Sequence, residues 1–144
     1  MAPYSHPVVP ERLRRALESQ GHRFTEQRGA VHRFLSGTDT HPTAEEVFRG
    51  VREELPAISL ATVYKNLETL VACGMAIKLT YSDGSSRYDG RTDPHHHARC
   101  EQCGTVRDVP GNLPPEVVSE LESCPSFQVT GYRLELTGVC SACS

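Results

Sequence analysis

Six cysteines and seven histidines stand in this 144-residue chain, most of them in two groups. Cys100-Glu101-Gln102-Cys103 and Cys140-Ser141-Ala142-Cys143 are two C-x-x-C pairs. Each pair can present two thiolates from one tight turn, and four soft ligands suit tetrahedral zinc. Gly104, directly after the first pair, helps a knuckle turn. With all four positions filled by protein, no open coordination position remains for catalysis, so the expected zinc is structural. Two independent redox dithiols are the alternative. Neither pair sits on the strand-to-helix junction that a thioredoxin-like motif needs. Cys73 and Cys124 stand alone and read as small buried hydrophobes.

His95, His96 and His97 are consecutive. On a strand, His95 and His97 share one face and both imidazoles can reach one ion, while His96 points away. A solvated polar edge is the bland alternative. Further donors to such an ion are open from spacing alone; candidates are His41, Asp89 and Asp108. Imidazole plus carboxylate suits iron(II), manganese(II) or zinc.

Composition bounds what these sites serve. The chain is 38% hydrophobic and 23% charged, enough for one domain or two small coupled ones. No apolar run approaches the roughly 20 residues that span a bilayer, and the first residues lack a signal-peptide core. A cytoplasmic protein without membrane contact is expected. The net charge of −3 does not exclude nucleic acid. Residues 1–36 carry six Arg against three Glu, whereas residues 91–144 carry four Arg against seven acids. Any positive surface lies in the N-terminal part.

The elements that position the donors follow from periodicity. A first helix runs from Glu11 to Gln20 after Pro10, and Gly21 ends it. A second opens at Thr25 and stops at Gly37. A third opens at Thr43, where Thr43-Ala44-Glu45-Glu46 forms a capping box. A fourth opens at Ser59, buries Val63, Leu67, Leu70 and Val71, and stops at Gly74. Its outer face should then carry Thr62, Lys65, Asn66 and Thr69. Ala76–Tyr81 alternates, Asp83-Gly84 signals a hairpin turn and Ser86–Asp89 returns. Helices followed by a hairpin look like a winged helix. Strands at His95–Cys100, Thr105–Val109 and Tyr132–Val139 surround a short helix from Pro115 to Ser123. The fold class is therefore α+β: a winged-helix domain over residues 1–89, a hinge at 90–94, and a small α/β domain over 95–144.

His41-Pro42-Thr43-Ala44, the stretch Ser59-Leu60-Ala61-Thr62-Val63-Tyr64-Lys65-Asn66-Leu67, the H-x-H-x-x-C-x-x-C run from His95 to Cys103, and the terminal Cys140-x-x-Cys143 together resemble the ferric uptake regulator (Fur) family, from about residue 10 to 143. The resemblance implies a homodimeric, metal-activated repressor of transcription. Its N-terminal domain would bind double-stranded operator DNA and its C-terminal domain would dimerise. The peroxide-responsive (PerR-type) branch is most similar. It implies a regulatory iron or manganese site at His41, Asp89, His95, His97 and Asp108. It also implies that iron(II) with peroxide oxidises a ligand histidine, His41 or His95, which opens the hinge and ends repression. The fourth helix becomes the recognition helix. Lys65 would meet a phosphate or guanine, Asn66 would read adenine, and Thr62 and Tyr64 would also face DNA. Arg14, Arg15 and Arg28 are phosphate-contact candidates, and Arg87 could enter a minor groove from the wing. A manganese- or iron-responsive uptake regulator without peroxide sensing is the alternative within the family. Outside it stand a thiol oxidoreductase and a zinc hydrolase. The hydrolase would need a water-open site and a positioned base, and no H-E-x-x-H motif occurs.

Overall fold

A computed structural model describes residues 11–81, 84–93 and 95–144. Expectations resting on Pro10, on Asp83 of the hairpin turn and on Pro94 of the hinge lie outside these residues. The chain divides into two compact units, one ending at Thr92 and the other running from Asp93 to Ser144.

The first unit contains α1 (Glu11–Ser19), α2 (Glu26–Ser36), α3 (Ala44–Val51), α4 (Leu60–Ala72), β1 (Ile77–Thr80) and β2 (Ser86–Asp89). Three helices start at the hydroxyl residues that the sequence marks. Thr25 Oγ1 accepts from the Arg28 amide at 3.2 Å, Thr43 Oγ1 from the Glu46 amide at 3.2 Å, and Ser59 Oγ from the Thr62 amide at 3.1 Å. Each such cap contributes about 1 kcal/mol. After α4, Gly74 adopts a φ of +74°, a left-handed turn that glycine accepts without steric cost. The helical period turns Leu13, Leu17, Val31, Leu35, Val47, Val63, Leu67 and Leu70 into one core, closed by Tyr88 of β2. β1 and β2 pair antiparallel, with Lys78 opposite Tyr88. This is a winged helix.

The second unit holds β3 (His96–Cys100), β4 (Val106–Val109), α5 (Pro115–Glu122) and β5 (Glu135–Gly138). The strand order is β4-β3-β5, with β4 antiparallel and β5 parallel to β3. The last strand is shorter than its alternation suggests, because pairing with β3 begins only at His97–Glu135. Among the described residues of this unit, Cys100 and Val106 are the buried apolar ones. Val117, Leu121, Phe127, Tyr132, Leu136 and Val139 are exposed, Phe127 to 69%. Cys124 is exposed as well, which corrects the expectation of a buried thiol: α5 buries none of its residues, so its end offers no core to enter. Cys73 is partly buried against the core of the first unit. Among the described residues no helix is long and apolar enough to cross a membrane.

Candidate metal centres and nucleic-acid face

The two C-x-x-C turns meet although 36 residues separate them. The parallel pairing of β5 with β3 places Gly138 beside Cys100, so the turn after β5 arrives at the turn after β3. Donor atoms of Cys100, Cys103, Cys140 and Cys143 all lie within 4.8 Å of one another, and Cys103 Sγ is 3.6 Å from Cys140 Sγ. Zinc–sulfur bonds of about 2.3 Å put tetrahedral sulfurs about 3.8 Å apart, so the cluster fits zinc. Gly104 takes a φ of +77°, which allows the knuckle to turn. The amides of Cys103 and Cys140 point at Cys100 Sγ from 3.5 and 3.4 Å. These amides hold the Cys100 thiol down at about 6, favouring the thiolate that a metal needs. Hydrogen bonding to the Cys140 and Cys103 sulfurs pushes Cys143 up to about 12.

Of the histidine and aspartate donors, His41 and Asp89 belong to the first unit and His95, His97 and Asp108 to the second. In the first unit, His41 Nε2 lies 3.3 Å from Asp89 Oδ2, and both residues are buried. His41 precedes α3 with a φ of +53°, a left-handed backbone that costs about 1–2 kcal/mol for a residue with a Cβ. Asp89 ends β2, and its Oδ1 accepts from the Arg91 amide at 2.9 Å. In the second unit, the His95 and His97 rings lie 4.5 Å apart, as same-face neighbours at the start of β3 should. Both meet Asp108 Oδ1, at 3.1 Å from His95 Nε2 and 3.5 Å from His97 Nε2. Asp108 is on β4, directly opposite His97. His95 Nδ1 sits 2.7 Å from the Asp93 carbonyl. An Nδ1–H donated there leaves the Nε2 lone pair facing a carboxylate oxygen, an arrangement that asks for a cation. His96 faces the other way, as expected, and stacks on Tyr132 with ring centroids 5.7 Å apart.

The outer face of α4 differs from expectation. Tyr64 and Lys65 are exposed, and Thr62 is half-buried with its hydroxyl 2.9 Å from Ser59 Oγ. Asn66 and Thr69 do not face outward: they are 4% and 8% exposed. Asn66 lies three residues after Val63 and four before Leu70, inside the apolar stripe, where its type misleads. The Thr69 hydroxyl donates to the Lys65 carbonyl at 2.9 Å. Glu68 is the exposed neighbour instead. The Tyr64 hydroxyl donates to Glu45 at 2.8 Å, which holds the Glu45 carboxyl below its ordinary range and raises the phenol.

The candidate arginines also have local partners. Arg14 lies over the Phe24 ring, and Arg15 Nε is 3.2 Å from Glu11 Oε1. Arg28 Nη1 donates to the Arg23 carbonyl at 2.8 Å. Arg87, expected at a minor groove, turns its guanidinium inward. Nη1 donates to the His41 carbonyl at 3.0 Å and lies 3.8 Å from Glu46 Oε1. The sequence carried one signal for this. Arg87 precedes Asp89 by two residues, so a strand puts both on one face.

A winged helix, a small sheet unit, four clustered thiols and imidazole–carboxylate pairs are the features of a metal-responsive type of regulator. The family model of the ferric uptake regulator family matches residues 19–137. The chain is 40% identical over 128 residues to the peroxide-responsive repressor PerR of Staphylococcus aureus, covering 89% of this chain and 86% of that one. Among solved structures, the Vibrio cholerae ferric uptake regulator matches with a TM-score of 0.74 at 26% identity, over 89% of this chain and 99% of that one. The Campylobacter jejuni peroxide stress regulator matches with a TM-score of 0.65 at 26% identity, over 96% of this chain and all 100% of that one. The chain belongs to the ferric uptake regulator family. Its members are transcriptional regulators, not enzymes, which removes the hydrolase and oxidoreductase alternatives.

Proposed function

We propose that this protein is a homodimeric repressor that binds operator DNA in the cytoplasm and releases it when peroxide oxidises a metal-ligating histidine. The observation that carries the proposal is the imidazole–carboxylate pairing at His41–Asp89 and at His95/His97–Asp108. Its likeness to a peroxide-responsive repressor supports the same reading. The four cysteines would hold structural zinc. The five His and Asp donors would hold one iron(II) or manganese(II) ion, a choice consistent with their nitrogen and oxygen atoms. Residues 1–89 would bind DNA, 90–94 would act as the hinge, and 95–144 would dimerise. The exposed apolar side chains of the second unit, Leu121, Phe127 and Leu136 among them, suit burial against a second copy.

Such an ion favours one arrangement of the two domains only by the difference in its affinity for the alternatives. Held by these donors, iron(II) would supply one-electron cleavage of peroxide beside the rings; overall a ring carbon of His41 or His95 would gain one peroxide oxygen and the other would leave as water. His41 or His95 carrying the added oxygen is a poorer donor, so the DNA-binding arrangement loses its support. On the DNA side, Lys65 and Tyr64 would face the groove, with Thr62 beside them and Arg14, Arg15 and Arg28 near phosphates. Asn66 could read a base only if it left the core.

Peptide mass spectrometry tests the proposal. Protein loaded with iron(II) and treated with peroxide should gain one oxygen on His41 or His95, in step with loss of DNA binding. The DNA is a duplex selected from a random pool by the manganese-loaded protein. The manganese form should show neither change. Oxidation confined to cysteines and methionines, or equal in both metal forms, would leave a plain manganese- or iron-responsive regulator, the second reading that the same donor set supports.

A further inference from the structure

We propose that Arg87 is a positioning residue for the regulatory metal, acting through His41; the inference rests on the metal reading above. His41 holds its ring against Asp89 from a left-handed backbone, uncommon for any residue with a Cβ. That conformation is held from β2. Arg87 Nη1 donates to the His41 carbonyl at 3.0 Å, and the next amide, Tyr88 N–H, donates to the Pro42 carbonyl at 2.9 Å. Asp89, the carboxylate that His41 meets, is the next residue. Three consecutive residues of one strand therefore grip the carbonyls of His41 and Pro42 and supply the ring's partner.

Arg87 is suited to this role rather than to a groove. Its side chain is only 19% exposed, and Glu46 of α3 lies 3.8 Å from the same Nη1. The guanidinium thus sits between the helix that follows His41 and the carbonyl of His41 itself. A donor that fixes the orientation of a metal ligand without touching the ion commonly changes metal affinity by about 10–100-fold. Because Arg87 is on the wing, the same bond makes the wing's return strand and the His41 loop one mechanical piece.

The test uses the full-length, zinc-loaded chain. Manganese(II) binding is read from the electron paramagnetic resonance of the free ion for the parent, Arg87→Gln, Arg87→Lys and His41→Asn. Asparagine tolerates the left-handed backbone, so His41→Asn removes the ligand with least strain. Arg87→Gln should weaken manganese binding at least about tenfold while zinc content is unchanged. Arg87→Lys, which can still donate one charged N–H, should recover part of the loss. At saturating manganese, both variants should bind the pool-selected duplex as the parent does, with an unchanged salt dependence. Unchanged manganese affinity in Arg87→Gln, with a loss in His41→Asn, overturns the role of Arg87 alone. Unchanged affinity in both overturns the metal reading as well. Weaker DNA binding at saturating manganese, with a shallower salt slope, would make Arg87 a phosphate contact instead.

Discussion

The Tyr88 hydroxyl of β2 donates to the Glu68 carboxylate of α4 at 2.9 Å, and so ties the wing to the fourth helix. Lys78 of β1 reaches the same oxygen at 2.9 Å. The Lys78 bond, assisted by Tyr88, holds the Glu68 carboxyl below its ordinary range. Burial, then the bond to Glu68, drives the Tyr88 phenol far above its ordinary value. Tyr88 is 1% exposed, whereas the Glu68 side chain keeps half its surface in water. Tyr88→Phe should keep the ring's packing and lower stability by about 1 kcal/mol, read from urea unfolding. An unchanged midpoint would mean that Lys78 alone holds Glu68.

Gly90 follows β2, and a Cβ there would come within 2.7 Å of the Leu35 carbonyl oxygen and 2.9 Å of its carbon. Backbone at the end of α2 cannot swing aside as a side chain can. Gly90→Ala should therefore cost about 1–3 kcal/mol. Gly111→Ala, where a Cβ meets nothing within 4 Å, is the control and should stay near the parent in the same thermal melts.

Cys100 is the buried member of the four-thiol cluster and the acceptor of two backbone amides. Cys100→Ser should lose tightly bound zinc and loosen the second unit, because metal binding and folding share one free energy there. Metal analysis after dialysis, with hydrogen exchange over β3–β5, decides it. Full zinc content with parental exchange would remove the four-cysteine assignment. Chelation of the parent should reproduce the variant's behaviour.

Lys65 projects from α4 beside Tyr64 and away from the core. Lys65→Ala should weaken binding to the selected duplex and reduce the salt slope by about 1, with manganese affinity unchanged. Equal duplex affinity at matched salt would move the reading surface off this helix.

Much of the first unit was legible before any coordinates. Thr25, Thr43 and Ser59 announce helix starts because a hydroxyl that accepts an orphan N–H is a local device. Val63, Leu67 and Leu70 announce a buried stripe because 3.6-residue periodicity is local too. Asn66 shows the limit of that approach. Its spacing put it in the stripe and its polarity put it outside, and packing decided for the spacing. Cys124 shows the converse: an apolar residue type stays exposed where its helix buries none of its residues.

The chemistry divides along the same line. Residue types and short spacings alone named the donors: two C-x-x-C pairs, and His95 with His97 on one strand face. Tertiary structure decided which donors meet. Parallel pairing of β3 with β5 joined cysteines some forty positions apart, and antiparallel pairing of β3 with β4 set Asp108 opposite His97. The left-handed turn at His41 was invisible in the sequence, and the inward swing of Arg87 was signalled only by its sharing a strand face with Asp89; both depend on contacts between segments 46 residues apart. Local propensities act over a few residues, whereas the direction of a side chain in a site is set by whatever distant strand the fold lays against it.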